Sequence, residues 1–172
     1  MQINNIECKA KVTNLAKLEQ KLLTLNPRLV GTDAQTDTYF NTPKGRLKLR
    51  QGNIENSLIY YERGDTATTK ASNGMVYNHA ASAALLQLLT LAHGIKVTVN
   101  KVRTIYFINN VKFHFDTLTT LGTFVEIEVL AAPNITEAQQ QNTADYYCNF
   151  LELQPSQYIA QSYSDMLLSP FT

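Results

Sequence analysis

Ionic side chains occupy every second position in several short apolar segments of this chain. The segment FVEIEV (124–129) places carboxylates between bulky apolar residues, and IECKAK (6–11) repeats the pattern with both signs of charge. Grouped Lys and Arg side chains are suited to binding a polyanion, and grouped carboxylates to binding a hard divalent cation such as Mg²⁺ or Mn²⁺. A polyphosphate bound with a metal ion would satisfy both groups, which are Lys9, Lys11, Lys48, Arg50, Arg63, Lys101 and Arg103, and Glu7, Asp116, Glu126 and Glu128.

Alternation with a period of two is typical of a β-strand whose two faces meet different surroundings. For one strand alone, the simplest interpretation is an apolar face on the core and a charged face in water. Solvent-facing positions usually mix Thr, Ser and Gln with charged residues, whereas these faces carry blocks of charge. The pattern therefore favours charged faces that are gathered in one place.

Seven or eight strands and four helices account for the rest of the chain. Strand patterns cover 3–12, 35–40, 45–51, 57–63, 95–108, 111–118 and 123–130. Helical patterns begin near Asn14, Ala80 and Thr136 and after Pro155, and Ile159, Tyr163, Met166 and Leu167 fall on one face of the last helix. Residues 64–74 are polar and are predicted to form a loop, and Asn109-Asn110 predicts a tight hairpin, because Asn tolerates positive φ.

Short turns between neighbouring strands predict an α+β fold with a mainly antiparallel sheet. Closing this sheet into an eight-stranded barrel would place the apolar faces outside, beneath the helices, and the charged faces inside. Such a barrel is wide enough to hold one small ligand. Enclosed like charges repel one another, so a ligand or ion of opposite sign is expected among them.

The bulk composition excludes several classes of protein. The 172 residues suit a single domain (1–172), and a net charge of +1 argues against a nucleic-acid-binding surface. Cys8 and Cys148 lack the spacing of a zinc site, and two isolated thiols suit a reducing compartment. The absence of an 18-residue apolar run and of an apolar leader predicts a cytoplasmic protein without a membrane span.

The order of the motifs resembles the CYTH family, also called triphosphate tunnel metalloenzymes, which includes class IV adenylyl cyclases and thiamine triphosphatases. The similar segments are NIECKAKV, TDTYFNTPKGRLKLRQ, SLIYYERGD, TKAS, VNKVRTIYF, VKFHFDTLTTLGTFVEIEV and QSYSDMLL. They extend over most of the chain, and their order is more specific than any one of them. The resemblance implies an eight-stranded antiparallel β-tunnel.

The resemblance also implies roles for individual residues. Lys9, Lys48, Arg50, Arg63, Lys101 and Arg103 would bind the triphosphate, Lys70 would reach it from a loop, and Glu7, Asp116, Glu126 and Glu128 would hold Mg²⁺ or Mn²⁺. Lys9, Glu126 and Glu128 would be the catalytic residues. The family motif is ExExK, and in this chain Asn5 replaces its first Glu. The resemblance therefore does not decide whether the chain has a second metal site.

Three functions fit these residues. The first is a class IV adenylyl cyclase reaction that converts ATP to cyclic AMP and pyrophosphate, the second is hydrolysis of thiamine triphosphate or tripolyphosphate, and the third is binding of a polyphosphate or nucleotide without turnover. The expected partner is a small triphosphate, and the expected state is a monomer or a homodimer.

Overall fold

Eight antiparallel strands form a closed barrel. The computed structural model describes residues 2–62 and 70–169. Around the barrel the strands follow the order β1-β5-β4-β3-β2-β6-β7-β8, and β8 pairs with β1 to close the circle. The predicted α+β barrel is thereby confirmed, with strands β1 (Gln2–Val12), β2 (Arg28–Phe40), β3 (Arg46–Gln51), β4 (Ser57–Glu62), β5 (Lys70–Asn78), β6 (Ile95–Ile108), β7 (Val111–Leu118) and β8 (Gly122–Val129).

Four α-helices and one 3₁₀ helix complete the described part of the chain. They are α1 (Leu15–Leu23), α2 (Ala83–His93), α3 (Glu137–Phe150), the 3₁₀ helix Pro155–Gln157 and α4 (Tyr163–Leu168). Thr136 and Gln139 form the predicted capping box at the start of α3. α2 ends at Gly94, whose φ of 69° is unfavourable for residues with a side chain.

The main apolar core lies between the outer face of the barrel and the helices. The outward residues of β1, β7 and β8 are buried there, and residues of α1 and α3 cover them. Cys8 and Cys148 pack together in this core, both 3% exposed. Helices therefore cover the outside of the barrel, as the alternation predicts.

A second apolar cluster fills one end of the barrel interior. Tyr39, Val99, Leu118 and Phe124 point inward and pack with Tyr163 of α4. The interior is therefore not charged along its whole length: apolar residues close one end, and the predicted charged residues lie in the remainder. This end is called the α4 end below, and the opposite end, where the β3–β4 loop and the β6–β7 hairpin lie, is called the mouth.

Two details of the predicted elements are wrong. Residues 70–74 belong to β5 and not to a loop, because their backbone pairs with β1 and β4 although their side chains are polar. The last helix is short: Ile159 precedes it and reaches the apolar cluster from an irregular segment. Arg63 and residues 64–69 lie outside the described residues.

The β6–β7 hairpin forms at the predicted position. Ile108 pairs with Val111, and Asn109 takes the positive φ of 51° that the two-residue turn requires. Among the described residues, no helix is long and apolar enough to cross a membrane. That residues 1–172 form a single domain stays a prediction.

Candidate active site

A cavity of about 540 Å³ occupies the barrel interior between the mouth and the α4 end. Its wall carries the predicted triphosphate-binding residues Lys9, Lys48, Arg50, Lys101 and Arg103, and the predicted metal ligands Glu7, Glu126 and Glu128. These residues come from four strands, β1, β3, β6 and β8, and each points inward because it occupies an alternate position. The fold thus brings together residues that are up to about 120 positions apart in the sequence, as the Lys9–Glu126 ion pair illustrates.

Asp37 holds three of the basic residues together. Its carboxylate accepts hydrogen bonds from Lys48 Nζ (3.1 Å), Lys101 Nζ (2.8 Å) and Arg50 Nε and Nη2 (2.9 and 3.0 Å). Burial opposes ionisation of Asp37, but Arg50, Lys101 and Lys48 outweigh it and hold its pKa well below the usual range. The carboxylate therefore offsets the repulsion among three cations.

Lys101 is the most deeply buried of these cations, with its side chain 1% exposed. Burial lowers the pKa of Lys101 to about 7; Asp37 opposes this shift, and the nearby charges of Arg50 and Arg103 add to it. The charge of Lys101 is therefore sensitive to any anion that enters the cavity.

Glu55 crosses the mouth. It accepts hydrogen bonds from Arg50 Nη1 (3.0 Å) and from Lys112 Nζ on β7. The loop that carries Glu55 is held by Asp33, whose oxygens accept from the backbone N–H groups of Ile54 and Glu55 at 2.9 Å. Asp33 is fully buried, so the loop position is fixed by the barrel wall beneath it.

Arg103 is fixed by two carboxylates. Its Nε and Nη2 donate to Asp116 at 2.6 and 2.5 Å, and Nη2 also donates to Glu126 at 2.8 Å. Asp116 accepts a further hydrogen bond from the Tyr163 hydroxyl at 2.7 Å. Asp116 is fully buried and lies behind Arg103, outside the cavity lining. A bidentate Arg–carboxylate pair of this kind fixes the guanidinium plane.

Tyr163 also contacts Lys9, whose Nζ lies 4.4 Å from the centre of the tyrosine ring. The same ammonium group is 3.7 Å from Glu126 Oε1. α4 is attached to the barrel by the ion pair between Arg46 and Asp165, at 2.8 Å. Through Tyr163, this helix therefore contacts two separate parts of the charged wall.

The three predicted metal ligands that line the cavity, Glu7, Glu126 and Glu128, lie on the adjacent strands β1 and β8. Glu7 of β1 is the register partner of Glu128 of β8, and Glu126 lies two residues before Glu128. Burial raises the pKa of Glu128; Lys112 opposes this shift, and the charges of Glu7 and Glu126 add to it. Glu7, Glu126 and Glu128 therefore form a group of neighbouring carboxylates, in which Glu126 is also paired with Lys9 and Arg103.

Asn5 takes part in the same group through hydrogen bonds. Its Nδ2 donates to Glu128 Oε1 at 2.7 Å, and its Oδ1 accepts from Ala131 N at 3.3 Å. At the position where the family motif has a carboxylate, this chain therefore has an amide that occupies one oxygen of Glu128.

His114 is buried on the cavity wall. Burial, with the charges of Arg103 and Lys112, lowers the pKa of His114 to about 3. Its Nδ1 lies 3.3 Å from Glu126 Oε2, whereas its buried Nε2 has no hydrogen-bond partner among the described residues. An imidazole nitrogen on the cavity wall is thus available for a ligand or a water molecule.

Two predicted residues cannot be placed in the cavity from the described structure. Arg63 lies outside the described residues, and for Lys70 the structure describes the backbone in β5 but not the side chain. Their roles in triphosphate binding stay predictions. The metal-ligand role of Asp116 also stays a prediction, although both of its oxygens are engaged by Arg103 and Tyr163.

Three residues that the sequence reasoning missed are central to the site. Asp37 shares its strand face with Gln35 and Tyr39, so the alternation in QTDTYF carried the signal that it points inward. Glu55 lies in a loop, where no periodicity sets the direction of a side chain. Tyr163 belongs to a helix that contacts the charged residues only in the folded chain, so its sequence position gives no sign of that role.

The carboxylate wall fits a divalent cation in chemistry and charge. Carboxylate oxygens are the donors that Mg²⁺ and Mn²⁺ prefer, and Glu7 and Glu128 are register partners on adjacent strands. Within the described ranges, no three His, Cys, Asp or Glu side chains are gathered closely enough to form a ligand set by themselves. Mg²⁺ is commonly held by one or two carboxylates together with water and substrate phosphates, so two of these residues suffice.

The described strands form a closed antiparallel barrel whose interior carries paired basic and acidic groups. The CYTH domain model matches residues 4–154. The chain therefore belongs to the CYTH domain family. No curated protein matches the sequence.

Solved structures share the fold. The PH1012 protein from Pyrococcus horikoshii OT3 aligns with a TM-score of 0.82 and 22% identity over 94% of this chain and 98% of that chain. A candidate adenylate cyclase from Vibrio parahaemolyticus aligns with a TM-score of 0.79 and 17% identity, over 96% of this chain and 98% of that chain. HpAC1 from Hippeastrum is described as having a dominant triphosphatase activity. It aligns with a TM-score of 0.62 and 13% identity, over 98% of this chain and 94% of that chain. At these identities the similarity shows the fold alone.

Proposed function

We propose that the chain is a metal-dependent enzyme that acts on a nucleoside or organic triphosphate bound inside the tunnel. The observation that carries this proposal is the single cavity lined by five of the predicted basic residues and three of the predicted carboxylates. A triphosphate can contact several cations at once, whereas a divalent cation can bind phosphate oxygens and the carboxylate wall together.

The basic residues would bind and orient the phosphate chain. Lys48 and Lys101 each donate one hydrogen bond to Asp37, so each ammonium group retains N–H donors for phosphate oxygens. Arg103 is held in a fixed plane by Asp116 and would stabilise charge that develops on a leaving phosphate. Because these groups are positioned before the ligand binds, little reorganisation is needed during the reaction.

Glu7 and Glu128 would hold the divalent cation with Glu126 beside them. When bound, the cation would neutralise phosphate charge and polarise the attacked phosphoryl group. Asn5 would keep Glu128 oriented through its hydrogen bond. Asp116, which lies behind Arg103, would position that guanidinium group.

The first reaction that we propose is cyclisation of ATP. The ribose 3′-oxygen would bond to the α-phosphorus, the bond from that phosphorus to the bridging oxygen would break, the hydroxyl proton would pass to a base, and pyrophosphate would leave. Motif resemblance to the class IV cyclases and the fold shared with the Vibrio parahaemolyticus protein support this choice.

Hydrolysis is the second candidate. Water would attack the terminal phosphorus and orthophosphate would leave, using the same basic residues and carboxylates. The activity described for HpAC1, which shares the fold, supports this candidate.

Product analysis tests both candidates. The protein would be incubated with ATP, thiamine triphosphate or tripolyphosphate in the presence of Mg²⁺ or Mn²⁺. Cyclic AMP with pyrophosphate identifies a cyclase, and orthophosphate identifies a hydrolase. Glu128→Gln is expected to abolish turnover while the protein stays folded, and Glu137→Gln, on the exposed start of α3, is the control. Tight binding without turnover of any of these triphosphates would contradict the enzyme proposal and would indicate a binding protein.

A further inference from the structure

One wall of the tunnel carries no charge in the part that the structure describes. The inward residues of β4 are Ser57, Ile59 and Tyr61, and those of β5 with described side chains are Val76 and Asn78. Apart from Arg63 and Lys70, the predicted cations and carboxylates come from five other strands, β1, β3, β6, β7 and β8. Among the residues whose side chains the structure describes, the cavity therefore has a charged side and a neutral side.

The centre of the neutral side is apolar. Ile59 and Val76 are register partners on the two strands. Both are half-buried, and both line the cavity. Their side chains therefore give this part of the cavity wall an apolar surface.

The mouth carries three further apolar side chains. Ile54, Phe107 and Leu130 line the same cavity where the β3–β4 loop, β6 and β8 reach that end. Ile54 is 38% exposed, so the surface at the mouth is open to solvent and to an entering ligand.

The cavity also has the size of a site for an organic ligand. Its volume of about 540 Å³ lies within the range of about 300–1,000 Å³ that is typical of sites for organic ligands. A site for an inorganic polyphosphate would gain nothing from apolar side chains, because burying them requires apolar ligand surface.

We infer that the ligand is an organic triphosphate whose non-phosphate part lies against Ile59 and Val76. This inference rests on the proposed function, since it assigns the phosphate chain to the charged side of the same cavity. It selects nucleoside or other aromatic triphosphates over inorganic tripolyphosphate, and it assigns a binding role to two residues that carry no charge.

Three probes separate the phosphate chain from the organic group. Binding of ATP, methyl triphosphate and tripolyphosphate would be measured by calorimetry with Mn²⁺ present. Methyl triphosphate keeps the charged ester chain of ATP and lacks the ribose and the base. ATP is expected to bind at least about tenfold more tightly than methyl triphosphate, since an apolar side chain that becomes covered contributes affinity of that order.

The variant Ile59→Thr/Val76→Thr tests the residues. Thr keeps the β-branched shape that suits a strand, and it replaces apolar surface by a hydroxyl group. ATP affinity is expected to fall by at least about fivefold, with tripolyphosphate affinity unchanged within about twofold. Met75→Thr is the matched control, because Met75 precedes Val76 on β5, points outward and is 63% exposed.

Several outcomes would overturn the inference. Equal affinity of the wild-type protein for ATP and methyl triphosphate would overturn it. This comparison uses the wild-type protein alone, so the inference can be tested even where the double variant does not fold. An equal loss of affinity for all three probes in the double variant would also do so. If none of the three probes binds to the wild-type protein, the proposed function fails, and this inference fails with it.

Discussion

Replacing Asp37 by Asn removes one buried charge and changes the side-chain volume little. The carboxylate is 2% exposed, and Lys48, Arg50 and Lys101 all donate hydrogen bonds to it. In the variant, three cations would face an amide that can accept fewer hydrogen bonds and carries no charge. The repulsion that Asp37 offsets would then act on the folded protein alone, because the cations separate in the unfolded chain.

The expected loss of stability is about 3–5 kcal/mol, the usual cost of removing one partner from a buried ion pair. We place it in this range because the side chains of Lys101 and Asp37 are almost inaccessible to water, at 1% and 2% exposed, which prevents solvent from taking the place of the carboxylate. Urea unfolding of the two proteins without ligand measures this difference.

Tripolyphosphate is expected to restore part of the lost stability. A polyanion in the cavity supplies negative charge to the three cations, and in Asp37→Asn it no longer meets the repulsion of the carboxylate. Stabilisation by a saturating amount of this anion should therefore exceed that of the wild-type protein by more than about 1 kcal/mol.

Asp33→Asn is the matched control. Asp33 lies on the same strand and is fully buried, yet its oxygens accept from backbone N–H groups and from Gln35, and none of these partners is a cation. This variant should lose stability without any added response to tripolyphosphate. Wild-type stability of Asp37→Asn, or an equal response of both variants to the anion, would refute the role assigned to Asp37.

Two further predictions concern Tyr163 and Lys101. Tyr163→Phe removes the hydroxyl that donates to Asp116 and keeps the ring. Turnover should fall about tenfold or more through a lower kcat. The control is Tyr106→Phe, which removes a hydroxyl bonded to Glu19 outside the tunnel and should leave kcat unchanged. Equal kcat values for the two variants would contradict this role. Burying the charged form of Lys101 costs free energy of folding, because burial lowers the pKa of this group to about 7. This cost is full below pH 7 and disappears as the pH rises toward the ordinary pKa of lysine. At about pH 8.5 the Lys101 side chain of the ligand-free protein is therefore mostly neutral, and the protein should take up a proton when a triphosphate binds. Calorimetry in two buffers of different ionisation enthalpy measures this proton uptake. The uptake should be absent in Lys101→Arg, because arginine stays charged. Absence of proton uptake in the wild-type protein would contradict the lowered pKa.

Strand residues of the site were predictable because a strand fixes the direction of each side chain. Once 124–129 is a strand, Glu126 and Glu128 must share a face, and the position of Arg50 follows in the same way from 45–51. The faces that meet inside the barrel depend on closure of the sheet. Closure was inferred from the accumulation of charge and from the family resemblance, and the closed barrel confirms it.

The remaining parts of the site depend on contacts that a periodic pattern does not contain. Glu55 reaches the cavity because Asp33, more than twenty residues earlier, holds its loop through two backbone hydrogen bonds. β5 was predicted to begin as a loop because its first residues are polar, yet its backbone joins β1 to β4 and closes the barrel. In both cases the tertiary hydrogen bonds outweigh the local sequence preference.

Pairing within the tunnel restricts which ligands can bind. In the described part of the wall, cations are already paired with carboxylates, for example Lys101 with Asp37 and Arg103 with Glu126. A simple anion would gain little, because each cation it contacts already has a partner and the neighbouring carboxylates repel it. A triphosphate with a divalent cation differs, since the phosphate charges meet the basic residues while the cation meets Glu7 and Glu128. Selectivity for such a pair over either ion alone thus follows from the mixed charge of the wall.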